Sequence, residues 1–85
     1  MTIEIDYKES VYKKDLKNID RKTALRLVNK LEKELSRNPD KGAALKGEFA
    51  GLFKLRVGDY RVIYSKTQKG VLILRIKHRK KVYKR

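Results

Sequence analysis

The sequence predicts an α+β domain in which two N-terminal helices cover one face of an antiparallel sheet, in the order β-α-α-β-β-β. Three observations predict it. In the first half of the chain apolar residues recur at three- and four-residue spacing. In the second half they alternate with polar ones. Turn signals at Gly58 and Asp59, and again at Lys69 and Gly70, divide that second half into strands. The 85 residues suffice for one compact domain over 1–85 and are too few for two.

Ile3 and Ile5 alternate with Thr2, Glu4 and Asp6, the period of a short strand with one buried face. Over residues 8–18, Val11, Tyr12 and Leu16, followed by Ile19, sit at helical spacing among Lys and Glu, which predicts a first amphipathic helix. Asp20 is suited to cap a second helix reaching residue 37, with Ala24, Leu27, Val28, Leu31 and Leu35 on one apolar stripe. Asn38 and Pro39 stop it, because Pro lacks an N–H and restricts the residue before it. A loop is expected as far as residue 51. Strands over 52–57, 60–66 and 71–77 then form a meander.

Successive side chains of a strand point to opposite faces, so parity sorts the three C-terminal strands. Phe53, Leu55 and Val57, then Tyr60, Val62 and Tyr64, then Leu72, Leu74 and Ile76 are expected to face the core. The opposite face carries Lys54, Arg56, Arg61, Arg75 and Lys77, with Leu52, Ile63, Val71 and Ile73 between them. Singly, each cation is what any solvated strand face shows. Together they form a field of one sign, since Asp59 is the only acid after Glu48.

The whole chain is as one-sided: 24 Lys and Arg against 10 Asp and Glu leave a formal charge of +14. Such a chain attracts nucleic acid, an anionic membrane surface or an acidic protein. Adaptation to heat enriches both signs of charge, so it does not account for the excess. Cysteine is absent, which excludes a disulfide framework, a thiolate nucleophile and cysteine-ligated metal. The N-terminus lacks the pattern of a signal peptide and no run is long enough to span a membrane; a cytoplasmic protein with no membrane association is expected.

The chemistry open to such a surface is narrow. There is no phosphate-binding glycine loop or dinucleotide fingerprint, and a single His leaves metal clusters and Ser-His-Asp catalysis without support. No cofactor and no metal are expected. Lys, Arg and Tyr can neutralise a phosphorane and exchange protons, and RNA supplies its own nucleophile, the ribose hydroxyl. Crowding by like charges favours a neutral Lys, so the Arg cluster is expected to activate Lys54 as a base. His78 is the alternative proton carrier, ranked below Lys54 and Tyr83.

Leu45-Lys46-Gly47, Phe53-Lys54-Leu55-Arg56 and Asp59-Tyr60-Arg61-Val62-Ile63-Tyr64 together resemble the RelE toxins of type II toxin–antitoxin systems. His78-Arg79-Lys80-Lys81-Val82-Tyr83 is similar to that family's C-terminal motif, and the resemblance covers nearly the whole chain. It implies a RelE-like, microbial-ribonuclease-like fold and a metal-independent endoribonuclease that cleaves messenger RNA in the ribosomal A site. By the same resemblance Lys54 matches a Lys of the general base, Arg61 and Arg79 match phosphate-stabilising Args, and Tyr83 matches a Tyr that orients the substrate. Lys46 and Arg56 match supporting basic positions, and Arg75, Lys77, His78 and Lys81 are expected to bind substrate. Leu52 stands where well-known members carry a further Lys, and Glu48 does not fall where some relatives place a catalytic Glu. The implied partners are an acidic RelB-type antitoxin, which folds as it wraps the toxin, and operator DNA for the complex.

Two other readings stay open. A ParE-like toxin shares the fold and poisons DNA gyrase, but the presence of Lys54, Arg61 and Tyr83 weighs against it. A non-catalytic nucleic-acid or ribosome binder needs only the basic face.

Overall fold

The computed structural model describes residues 3–78. In chain order it contains β1 (Glu4–Tyr7), a π-helical turn (Val11–Asp15), α1 (Arg21–Arg37), β2 (Ala43–Ala44), a 3-10 turn (Gly47–Phe49), β3 (Leu52–Val57), β4 (Tyr60–Lys66) and β5 (Gly70–His78). The strands form one sheet in the order β1-β5-β4-β3-β2. α1 covers one face: its Leu27, Leu31 and Leu35 enter a single core with Leu55, Val57, Val62, Tyr64, Val71, Ile73 and Ile76. Each large apolar side chain so buried contributes roughly 1.5–3 kcal/mol.

α1 forms as its sequence dictates. The Asp20 carboxylate accepts a hydrogen bond from the Thr23 backbone N–H at 3.1 Å, and hydrogen bonding by the Thr23 side chain first, with this backbone bond second, holds its carboxyl below the usual range. At the other end Asn38 is extended, as a residue before proline must be. Tyr64, fully buried, ties the following loop down: its hydroxyl accepts from Gly42 N–H and donates to Pro39 O, both at 2.9 Å. β3 and β4 join through Gly58 and Asp59, where Gly58 alone has positive φ, 59°, the arrangement of a two-residue hairpin with glycine first.

Four features depart from the sequence expectation. The sheet is mixed, because β1 runs parallel to β5, pairing Ile5 with Val71 and Tyr7 with Ile73. Gly70 has no room for a side chain against β1, since an added Cβ would lie 2.1 Å from Glu4 O. The first expected helix is reduced to the short turn at Val11–Asp15. There the Leu16 N–H donates to Val11 O at 2.7 Å, the five-residue step of a π-turn. This wide turn lets Val11, fully buried, and Leu16 reach the same core. β2, expected as loop, adds two antiparallel pairs to β3.

The fourth departure concerns parity on β5. Val71 and Ile73 are fully buried, whereas Leu72 and Leu74 are half-buried. The cause is a bulge: Ile63 pairs with Arg75 but the next residue, Tyr64, pairs with Ile73, so Leu74 is extra. One inserted residue reverses the parity of everything before it. Ile76, Arg75 and Lys77 therefore lie as alternation predicts, and the residues upstream of Leu74 do not.

The Tyr7 hydroxyl donates to Glu32 on α1, and burial together with that bond raises its pKa above the ordinary tyrosine value of 10.0. The folded state thus keeps the proton to a higher pH than the unfolded chain does, and the stabilisation from Tyr7 is complete below about pH 10 and lost above it. Tyr7→Phe should cost roughly 1–3 kcal/mol at pH 8. The gap between wild type and variant in urea unfolding should narrow at pH 11.

Candidate nucleic-acid interface

Residues paired across neighbouring strands share a face, so the register of β3, β4 and β5 fixes what lies on the open side of the sheet. Arg56 pairs with Arg61, and Arg61 with Lys77. These three cations form one continuous row at cross-strand spacing, about 5 Å between successive Cβ atoms. The adjacent row runs Lys54, Ile63, Arg75. Lys54 is consequently flanked by Ile63 directly and by Arg61 on the diagonal, roughly 7–8 Å away. Arg61 is half-buried at the centre, while Lys54, Arg56 and Lys77 are exposed.

Like charges directly opposite one another weaken a sheet. Among the described residues the ion pairs are Lys13–Glu9, Lys41–Glu34, Lys66–Asp40 and Arg75–Asp15. None of them relieves Lys54, Arg56, Arg61 or Lys77. An uncompensated row of this kind suits an anion that bridges it, and a phosphate group accepts from several such donors at once.

Arg75 has a different setting. Its Nε lies 3.5 Å from Asp15 Oδ2, and the same carboxylate oxygen accepts from the Ile76 backbone N–H at 2.8 Å. Asp15 thereby caps the edge that β5 exposes once β1 has ended, and it neutralises part of the charge on Arg75. Sequence reasoning did not single out Asp15, since only the path of the π-turn brings it to β5. His78 is parted from the cation row: it pairs with Tyr60, so it takes the core-side parity. The two rings meet edge-on with centroids 4.9 Å apart. Burial, with Asp20 and Asp59 nearby, raises the Tyr60 pKa.

A groove of about 390 Å³ follows the β5 edge, lined in part by Asn18, Tyr60, Arg75, Lys77 and His78. It gathers three of the residues expected to bind substrate next to the open face. Lys46 stands apart from the sheet, in the connection leading to the 3-10 turn. Arg79, Lys81 and Tyr83 fall outside the described residues.

Residues 7–83 match the family model of the ParE toxin of type II toxin-antitoxin system, parDE. Among solved structures, a chain of the RelBE2 toxin–antitoxin complex from Mycobacterium tuberculosis is 29% identical with a TM-score of 0.84, the match covering 93% of this chain and 100% of that one. A chain of the archaeal RelE–RelB complex from Pyrococcus horikoshii is 31% identical with a TM-score of 0.69, covering 93% and 97%. The YoeB–YefM complex from Staphylococcus aureus shares the fold, with 21% identity, a TM-score of 0.70 and coverage of 92% and 98%. No curated protein sequence matches the chain. The class defined by fold and sequence is that of toxins from type II toxin–antitoxin systems. Within it, the chain belongs to the RelE/ParE superfamily.

The crowding of the row predicts opposite effects of one substitution. Arg61→Gln should leave the free protein as stable as wild type, or more stable by a few tenths of a kcal/mol at low salt, as read by thermal unfolding. The same variant should bind single-stranded RNA more weakly, with the slope of log K against log salt reduced by about 0.7.

Proposed function

We propose that this toxin is a metal-independent endoribonuclease that cleaves messenger RNA in the ribosomal A site and so inhibits translation. The observation that carries the reading is the Arg56–Arg61–Lys77 row with Lys54 beside it, none of the four in an ion pair among the described residues, on a chain that resembles RelE over its main motifs. In this account Lys54 removes the proton from a ribose 2′ hydroxyl, whose oxygen attacks the neighbouring phosphorus. Arg61, at the centre of the row, neutralises the charge that grows on the phosphorane, and Arg56 and Lys77 hold the flanking phosphates. The bond from phosphorus to the 5′ oxygen breaks to leave a 2′,3′-cyclic phosphate, and the departing oxygen takes a proton from the Tyr83 hydroxyl, which regains it through solvent from Lys54. Arg79 and Tyr83 are assigned by resemblance to phosphate stabilisation and substrate orientation. With one His, which faces Tyr60, proton transfer falls chiefly to Lys and Tyr.

The chain's +14 charge suits an acidic antitoxin that shields the basic face before any substrate reaches it. Relatives solved as RelB–RelE and YefM–YoeB complexes support such a partner, and in this reading the complex binds its operator in a cytoplasmic setting. One observation favours a second reading: the matched family model is described by ParE, and a gyrase-poisoning toxin would share this fold.

Primer extension on a defined message, in a purified translating system with and without ribosomes, tests the proposal. Wild type should give cuts within the A-site codon only when ribosomes are present. Arg61→Ala should lower the cleavage rate by about 10²–10³-fold, and Lys54→Ala by about 10²–10⁴-fold. Growth arrest without any cleavage, accompanied by gyrase inhibition in a supercoiling assay, would replace this reading with the ParE one.

A further inference from the structure

Among the described residues, Asp15 is the only acid in an ion pair with a cation of the open sheet face, Arg75. Its side chain is 11% exposed, and one of its oxygens serves two groups. Oδ2 accepts from the Ile76 N–H at 2.8 Å and lies 3.5 Å from Arg75 Nε. The first contact needs an acceptor and no charge, since the amide oxygen of an Asn would serve an N–H as well. The negative charge is of use only against Arg75. Yet by offsetting Arg75 it weakens the pull of the whole face on phosphate. A surface built for affinity alone would do better without Asp15, so its benefit lies in where it holds Arg75.

That position matters because of how β5 is built. Pairing with β1 ends at Ile73, and the extra residue Leu74 follows at once. Beyond this bulge β5 pairs with β4 alone, and Asp15 secures its other edge at Ile76. Arg75 is two residues from Lys77 on the same face and diagonal to Arg61, roughly 7–8 Å away. Both cations repel it, and a long side chain without a partner samples many rotamers. The contact with Asp15 engages Nε and leaves the terminal nitrogens, Nη1 and Nη2, which form the fork that grips a phosphate. The Arg75 side chain is 50% exposed and lines the groove that Lys77 also lines. It is restrained on its inner side and accessible at its tip.

We propose that Asp15 is a positioning residue for RNA cleavage: it aims the terminal nitrogens of Arg75 at a phosphate of the bound message and steadies the segment of β5 that carries Lys77. The assignment rests on the nuclease reading given above. Arg75 is the group that touches the substrate, and Asp15 acts through it. The arrangement lowers affinity and raises turnover, because a donor already in place need not be reoriented as charge grows on the phosphorane.

Single-turnover cleavage on programmed ribosomes, at increasing concentrations of the full chain, tests this with wild type, Asp15→Asn, Arg75→Gln and the double variant. Asn keeps an acceptor for the Ile76 N–H, so Asp15→Asn should unfold within about 5 °C of wild type. Its cleavage rate at saturation should fall by about 10–100-fold. Its binding to free single-stranded RNA should be at least as tight as that of wild type, since the face has lost an anion. A merely structural role would instead lower stability, affinity and rate together. In the Arg75→Gln background the same change should alter the rate by less than about twofold, because effects exerted through one group do not add. A wild-type rate in Asp15→Asn, weaker binding to free RNA, or a loss of rate as large in the Arg75→Gln background overturns the proposal. If wild type makes no cuts, the nuclease reading fails and the role in cleavage with it, whereas free-RNA affinity still shows whether Asp15 restrains Arg75.

Discussion

The fold depends on β5, which joins β1 to the rest of the sheet and is held on both sides over its first half. β1 pairs with it in parallel and β4 antiparallel, and its Val71 and Ile73 are fully buried beneath α1. The strand then faces two demands. Its first half must turn Val71 and Ile73 inward, and its second half must turn Ile76 inward and Arg75 and Lys77 outward. A regular strand cannot satisfy both, since the two sets differ in parity. The bulge at Leu74 resolves the conflict by adding one residue. The same irregularity sets Lys77 beside Arg61, so the packing of the core and the assembly of the cation row follow from one adjustment in one strand.

The charge distribution has the character of a surface adapted for something other than stability. Arg56, Arg61 and Lys77 stand directly across from one another with no ion pair among the described residues, and the outer side of α1 repeats the theme along a helix. Acids do take part in the structure, but in supporting roles. Asp20 caps α1, Asp15 holds the β5 edge, Glu32 receives the Tyr7 hydroxyl and Asp40 pairs with Lys66. Few are left to offset the cations. Such a protein gains from any polyanion that settles on it, whether substrate RNA or an acidic inhibitor, and the two then compete for the same field.

Much of this was legible in the residues themselves because it depends on local periodicity. The Asp20 cap, the stripe through Leu27, Leu31 and Leu35, and the Asn38-Pro39 stop define α1 without reference to the rest of the chain. The hairpin at Gly58 and Asp59 fixes the register of β3 on β4, and with it the shared face of Lys54, Arg56 and Arg61. What the sequence hid depends on contacts distant in the chain. A parallel pairing of β1 with β5 joins residues more than sixty positions apart. The run Val71-Leu72-Ile73-Leu74 is apolar throughout, so alternation could not reveal where the bulge lies. The π-turn in the expected first helix sets Asp15 against the Ile76 N–H, 61 positions away, and the turn of His78 toward Tyr60 follows from the β4–β5 register.

The central claim is that function resides in where the open-face cations stand rather than in how many cations the chain has. Inhibition of a purified translation system by two charge-matched variants measures this most directly: one with Arg56, Arg61 and Lys77 changed to Gln, the other with Lys8, Lys14 and Lys17 changed to Gln. The account predicts that the first loses inhibition by at least about 10²-fold while the second stays near wild type. An equal loss in both, or no loss in the first, would contradict it.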